Sequence, residues 1–247
     1  ATHTTPNSVV INKCLNEMVD AGVTYCFMEV SSHGIHQKRI EGLQFAGGVF
    51  TNLTHDHLDY HKTFAEYRDV KKIFFDKLSK TAFALVNIDD KNGAVMLQNT
   101  AAKKYSYALK TMADFKAKIL ENQFSGLLLT INNKEVWSKL IGSFNAYNLL
   151  AVFGVAQLAG LKITESLTLL SELESVSGRF QFFISKKGIR AIIDYAHTPD
   201  ALKNVLETIN DIRTGNEQVI TVVGCGGNRD KAKRPVMGRI ASQLSTH

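Results

Sequence analysis

The chain has little cysteine, no long apolar run and no cluster of basic residues, and each shortage removes a class of protein. Three cysteines in 247 residues cannot all pair, and none has metal-ligand spacing with another; Cys14 and Cys26 lie in apolar-patterned segments and Cys225 in a glycine loop. A disulfide scaffold and a cysteine-held metal are thereby excluded, and a reducing, cytosolic compartment is expected. No stretch approaches the roughly 20 apolar residues that cross a bilayer, and no signal-peptide pattern is present, which excludes a membrane partner. Lys and Arg outnumber Asp and Glu by 29 to 23, a net charge of +6. These cations are scattered along helical patterns without interleaved aromatics, which argues against nucleic acid and for small anionic substrates. Internal repeats and low-complexity tracts are missing, and so is any Gly-x-x-x-x-Gly-Lys-Ser/Thr phosphate loop. The chain starts without an initiator methionine and stops inside a helix-like pattern. It is expected to be a piece of a longer protein.

What is present is an ordinary globular composition, 45% hydrophobic and 21% charged, enough for one large or two modest domains. The chemistry concentrates in one stretch. Val49 to Leu53 is a short apolar run that reads as a buried strand, and it breaks into His55, Asp56, His57, Asp59 and His61. So much imidazole and carboxylate is costly to assemble unless it holds a metal, a phosphate or a proton. A solvated polar loop is the plain alternative. Upstream, Tyr25 to Val30 is a second apolar strand with Glu29 near its end, followed by Ser31-Ser32-His33-Gly34. Downstream, a helical pattern from Phe64 to Lys80 puts Tyr67, Lys71, Phe74 and Leu78 on one stripe. Lys71 therefore falls among core-facing positions, where its pKa would drop, unless its stem snorkels and leaves the charge in water.

The remaining segments alternate between strand and helix. Thr4 and Thr5 sit in a turn before a helix that carries Val10, Ile11, Leu15, Met18 and Val19; Ala82 to Ile88 reads as a buried parallel strand closed by Asp89 to Gly93. From about 103 to 140 the runs shorten, with Leu127 to Ile131 a strand and Asn132-Asn133 a turn, the pattern of an antiparallel flap. Phe144 to Leu161 is a strongly apolar helix in which Asn145 could act as a cap, and a second helix covers about 164–175. Beyond Ser177-Gly178-Arg179, strand Arg190 to Asp194, helix Asp200 to Ile212 and strand Gln218 to Val223 make a β-α-β unit. It ends in the turn Gly224-Cys225-Gly226-Gly227, which lacks the third spaced glycine of a dinucleotide fingerprint.

Several of these blocks, taken together and in order, resemble the Mur ligases, the ATP-dependent enzymes that add amino acids to the peptidoglycan precursor. They are Met28-Glu29-Val30-Ser31-Ser32-His33 with Gln37 and Arg39, then Thr51 to His61, the Tyr67–Lys71 spacing, Gly142 to Asn148, Ser177-Gly178-Arg179, Asp194 to Asp200 and Gly224 to Lys231. The resemblance is strongest to the branch that adds the third residue of the stem peptide. It implies an α/β fold in two parts. Residues 1–177 would form the central ATP-binding domain, a mostly parallel sheet flanked by helices with a small antiparallel flap, and residues 178–247 the start of a Rossmann-like C-terminal domain that binds the amino acid.

The resemblance also implies a reaction. ATP phosphorylates the D-Glu side-chain carboxylate of UDP-MurNAc-L-Ala-D-Glu, and the amine of a diamino acid attacks the acyl phosphate. Meso-diaminopimelate is favoured over L-lysine as the more widespread choice. Glu29, His57 and Lys71 would hold Mg²⁺, with Lys71 carbamylated by CO₂; an imidazole is an unusual partner for so hard an ion. Thr4, Thr5, Ser31, Gln37 and Arg39 would bind the muramoyl peptide, and Arg229 the incoming amino acid. Asn145, Asn148, Arg179 and Asp194 would face ATP, and His197 the substrate at the domain interface. The full-length form is expected to be a monomer. Two other readings of the residues stay open: a metal-dependent phosphohydrolase built on the His/Asp cluster, and a non-catalytic anion-binding domain. Folylpolyglutamate synthase and the sister Mur ligases share the general plan.

Overall fold

A computed structural model describes residues 4–54, 60–226 and 231–247. Its organising element is a six-stranded sheet in sequential order, formed by β1 (Gly47–Phe50), β2 (Phe83–Asn87), β3 (Lys103–Ala108), β4 (Phe115–Gln123), β5 (Gly126–Ile131) and β6 (Lys134–Ser138). The first four pair in parallel and the last three antiparallel. The expected antiparallel piece is therefore present, and it hydrogen-bonds onto the parallel strands through Tyr107↔Phe115 and Ala108↔Lys116. Asn132 and Asn133, both at positive φ (47° and 64°), make the β5–β6 turn, as asparagine's tolerance of that region allows.

The continuous apolar run of β2 is explained by burial on both faces. Leu85 belongs to the core shared with the helix α5 (Ser143–Leu158) and α6 (Ile163–Glu172), while Ala84 and Val86 belong to the core under α3 (Phe64–Asp76). All three have no exposed surface, as alternate side chains of a central strand should. Helix α3 starts at Thr63, whose hydroxyl accepts from Glu66 N at 3.1 Å, a cap worth about 1 kcal/mol. It ends at Asp76, before the Lys80 read from the pattern, because Lys77 caps it. Leu78 still reaches the core at 5% exposure. The seat of α3 depends on Gly48 in β1, where a Cβ would come within 2.7 Å of Phe74 and 3.0 Å of Leu78.

Two expected strands do not form. Residues 25–30 run without ladder bonds, and Tyr25 and Phe27 are exposed by 59% and 78%. Residues 218–223 likewise carry no ladder: Val219 O accepts from Thr246 N, Thr221 N donates to His247 O, and Val222 is 97% exposed. The β-α-β unit is therefore present only as a succession, with β8 (Arg190–Ile193) paired antiparallel to β7 (Gln181–Ile184) instead. An apolar pattern reports which faces could be buried, whereas a strand also needs a neighbour to take its N–H and C=O groups.

Behind that hairpin, α7 (Pro199–Ile212) and α8 (Lys233–Leu244) enclose a small core of Leu202, Leu206, Val219 and Met237. Among the described residues this part meets the sheet and α5 at several points. Phe124, at the tip of the β4–β5 hairpin, stacks on Phe182 at 5.4 Å; Phe144 lies 5.7 Å from Phe180; and a Cβ on Gly142 would come within 2.9 Å of Thr208 in α7. Two short helices, α2 (Ser32–His36) and α4 (Gly93–Met96), and the N-terminal α1 (Ser8–Asp20) complete the described residues. Among them no helix is long and apolar enough to cross a membrane.

Candidate active site

The residues expected to bind the muramoyl peptide converge around the start of α2. Ser31 is the N-cap, its hydroxyl accepting from Gly34 N at 3.1 Å. Arg39 donates from Nη1 to Thr5 O at 2.6 Å and from Nε and Nη2 to Gln37 Oε1 at 3.0 and 2.5 Å, which fixes the guanidinium in place. Gln37 in turn donates to the Tyr60 hydroxyl, which also lies 2.7 Å from His36 Nδ1. Thr4 is exposed, but Thr5 is not: it has no accessible surface, and its hydroxyl donates to Glu29 O and accepts from Ser31 N. With its donor and one lone pair engaged, this buried hydroxyl holds the loop, a part that the sequence did not show.

Beside this network lies Lys71, half-buried on α3 with its ammonium 5.7 Å from the Tyr67 ring. Burial pushes its pKa down, and the Glu29 carboxylate, itself exposed, opposes that push without cancelling it. Its neighbour Lys72 is the more buried of the two, at 8% exposure, and is neutralised by Asp76 through two contacts of 2.7 Å. No such carboxylate lies within ion-pair distance of Lys71 among the described residues. Burial therefore shifts Lys71 toward its neutral form without a carboxylate in ion-pair contact among them to oppose it. The sequence pattern missed Lys72. It also missed the aromatic packing around His61, which is fully buried, stacked on Tyr67 at 5.3 Å and bonded to Ser32 Oγ at 2.9 Å.

The residues expected near ATP form two groups. Asn148 donates to Asn145 Oδ1 at 3.1 Å, while Asn145 reaches back to Ile141 O at 2.8 Å; Gly142 is the N-cap of α5, so Asn145 does not cap it. The second group lies at the end of β8. Asp194 accepts from Phe180 N (2.7 Å) and Ala196 N (2.8 Å), Arg179 lies over the Tyr195 ring at 5.0 Å, and His197 Nδ1 lies 3.1 Å from Tyr195 O. His57 and Arg229 lie outside the described residues, as do His55, Asp56, Asp59 and His3. Among the described residues no three metal-ligating side chains converge. Glu29 offers a carboxylate oxygen of the kind a hard divalent ion prefers, and a carbamate on Lys71 would offer two more, donor chemistry compatible with magnesium. A cleft of about 530 Å³ lies between Leu53, Thr54, Phe64 and Lys91 on one side and Pro199, Asp200, Lys203 and Ile240 on the other.

Residues 1–156 match the Mur ligase middle domain, and residues 178–247 match the glutamate ligase domain of the same enzymes. The chain belongs to the Mur ligase family. It is 59% identical over 247 residues to a UDP-N-acetylmuramoyl-L-alanyl-D-glutamate–2,6-diaminopimelate ligase of Cytophaga hutchinsonii, a match that covers 100% of this chain and 51% of that protein. To the ligases of the same description from Phocaeicola vulgatus and Bacillus cereus it is 60% and 37% identical, over 98% and 99% of its length and 50% and 52% of theirs. A solved structure of such a ligase superimposes with a TM-score of 0.76 at 32% identity, covering 98% of this chain and 51% of the other. A Mur ligase from Thermotoga maritima solved in complex with ADP shares the fold at a TM-score of 0.68 and 17% identity, over 87% of this chain and 49% of its own. This Mur ligase chain therefore spans about half the length of the relatives it matches.

Proposed function

We propose that the protein containing this chain joins meso-diaminopimelate to the D-Glu side-chain carboxylate of UDP-MurNAc-L-Ala-D-Glu in the cytoplasm, at the expense of ATP. The observation that carries the reading is the match to diaminopimelate ligases along the whole chain, at 59% identity. The side-chain arrangement is consistent with it. Residues 1–177 would serve as the ATP-binding part and 178–247 as the amino-acid-binding part, in a monomeric enzyme.

In this reading ATP supplies the phosphoryl group, and magnesium supplies the positive charge that lets two anions approach. Glu29 and His57 would hold the ion. Lys71, whose pKa burial lowers, would attack CO₂ through its deprotonated amine and lose a proton, leaving an anionic carbamate beside Glu29. Ser31, Gln37, Arg39 and the exposed Thr4 would grip the peptide, and the tethered guanidinium of Arg39 suits a carboxylate or phosphate partner. Thr5 holds that loop in shape. Asn145, Asn148, Arg179 and Asp194 would line the nucleotide, while His197 and Arg229 would meet the acceptor across the cleft.

The test is ADP release by the intact protein with UDP-MurNAc-L-Ala-D-Glu and either meso-diaminopimelate or L-lysine. Release that requires the muramoyl dipeptide and meso-diaminopimelate supports the reading. Phosphate release without any acceptor would replace it with the phosphohydrolase, and equal use of lysine would overturn the selectivity.

A further inference from the structure

Two adjacent carboxylates in the turn after β2 take no part in the site proposed above, yet each is bonded to a different half of it. Asp89 Oδ2 accepts from Leu109 N and Lys110 N at 2.8 Å and from the Tyr147 hydroxyl at 2.9 Å, while Oδ1 accepts from Thr111 N at 2.9 Å. Tyr147 stands in the first turns of α5, between Asn145 and Asn148. Asp90 Oδ2 accepts from Leu53 N at 3.0 Å, and its other oxygen accepts from Asn92 N at 2.7 Å and Asn92 Nδ2 at 2.9 Å. Leu53 is buried at 5% exposure and lies two residues before His55.

The turn between them is itself tightly held. Asn87 Oδ1 accepts from Asp89 N, Gly93 N donates to Asp90 O, and a Cβ on Gly93 would strike Asn87 O at 2.1 Å. One rigid corner thus grips the β3–β4 connection and α5 with one carboxylate, and the exit of β1 with the next. Three converging N–H groups and a phenol require a group that accepts on both oxygens. An asparagine amide would turn an N–H toward an N–H. Burial works against the charged form of Asp89, but the Thr111 hydroxyl and the N–H groups of Lys110, Thr111 and Leu109 outweigh it. The carboxyl is held well below the usual carboxylate range and stays ionised at any working pH.

We infer that Asp89 and Asp90 are paired positioning residues, locking the nucleotide-side asparagines of α5 and the strand feeding His55–His61 to one corner. The phosphoryl donor and the group that receives it are thereby held in register. This rests on the function proposed above. Its force comes from the steepness of the geometry: a misplacement of about 1 Å at reacting atoms costs on the order of a hundredfold in rate. A turn that served stability alone would have no reason to split its effects between nucleotide binding and the transfer step.

That split is the test, made on the intact protein. Tyr147→Phe removes the link to α5 and leaves the three backbone contacts of Asp89 in place. It should raise the KM for ATP about tenfold, the worth of one hydrogen bond to a charged acceptor, with the KM for the muramoyl dipeptide unchanged. Asp90→Ala releases Leu53 and should lower kcat about tenfold or more with the KM for ATP unchanged, since it disturbs only what is in place during transfer. Calorimetry with ATP alone should show weaker binding by Tyr147→Phe and unaltered binding by Asp90→Ala, whatever the ligation assay shows. Equal factors on every parameter in both variants, or a fall in Tm with no kinetic change, would overturn the inference. A wild-type protein that binds ATP but ligates nothing would overturn the proposed function, while the binding arm would still judge the bracket.

Discussion

Replacing Lys71 and Lys72 one at a time separates chemistry from stability at neighbouring positions of one helix turn. Lys72 meets Asp76 with side-chain exposures of 10% and 31%, between an exposed pair worth at most about 1 kcal/mol and a buried one whose breakage costs about 3–5 kcal/mol. Lys72→Ala should therefore cost about 2 kcal/mol. In a chain of this size that is a fall in Tm of about 4–8 °C, with ligation kinetics unchanged below the transition. Lys71→Ala should do the reverse. In CO₂-depleted buffer, where Lys71 is an unmodified ammonium that burial disfavours, the substitution should leave stability unchanged or raise it, while with CO₂ present loss of the carbamate's charge stabilisation in the transition state should lower kcat by roughly 10²–10³. Acetate or propionate in the buffer should partly restore that loss by standing in for the carbamate. The pH dependence has a definite sign. Because the folded pKa of Lys71 lies below its unfolded value, the wild type loses stability relative to Lys71→Ala as pH falls from the ordinary lysine range through that depressed pKa. Thermal melts from pH 11 to 7, paired with ADP release in CO₂-depleted buffer, measure both arms. Full activity of Lys71→Ala without CO₂, or equal losses of Tm in the two variants, would refute the reasoning.

Two further outcomes follow from packing and ionisation. Gly48→Val places a side chain where even a Cβ comes within 2.7 Å of Phe74 and 3.0 Å of Leu78, and should cost about 1–3 kcal/mol in a urea titration; an unchanged midpoint would mean that α3 does not sit on β1 there. Asp89→Asn should lower the urea midpoint at pH 7. Because the folded pKa of Asp89 is depressed, its contribution is present above about pH 4 and fades as pH falls through the folded pKa, so the wild-type and variant curves should converge in acid. A gap that stays constant down to pH 3 would refute the ionic account.

Much of the fold was legible because its signals are local. Both faces of β2 are apolar, the Asn132-Asn133 turn sits where its conformation demands, and α7 runs from Pro199 to Ile212, within one residue of the Asp200 to Ile212 pattern. The strands at 25–30 and 218–223 were misread for one reason: their apolar pattern is real, but hydrogen-bonding partners are set by distant chain. The candidate site divides in the same way. Their place in the pattern marked Glu29 and Lys71, the resemblance marked Ser31 and Arg39, and the structure places all four around one helix start. The part of Thr5 was hidden because a hydroxyl looks the same in sequence whether buried or free. Asp89 and Asp90 were hidden more deeply, since their partners include backbone N–H groups and a phenol between 20 and 58 residues away in sequence, and a backbone N–H leaves no residue-type signature.

The single tryptophan, Trp137, stands opposite Leu128 in β6, partly exposed, with its ring against Gly126. The chain thus carries one intrinsic indole fluorophore, and it is built into the antiparallel end of the sheet. Its emission should track the melting of β4–β6 and α5, whose side chains share one core. The β7–α8 segment has a separate small core and contributes tyrosine but no indole signal. Denaturation followed at 340 nm and by far-UV dichroism would then coincide only if the two parts unfold together, and a fluorescence trace alone would overlook any separate loss of the part that carries His197.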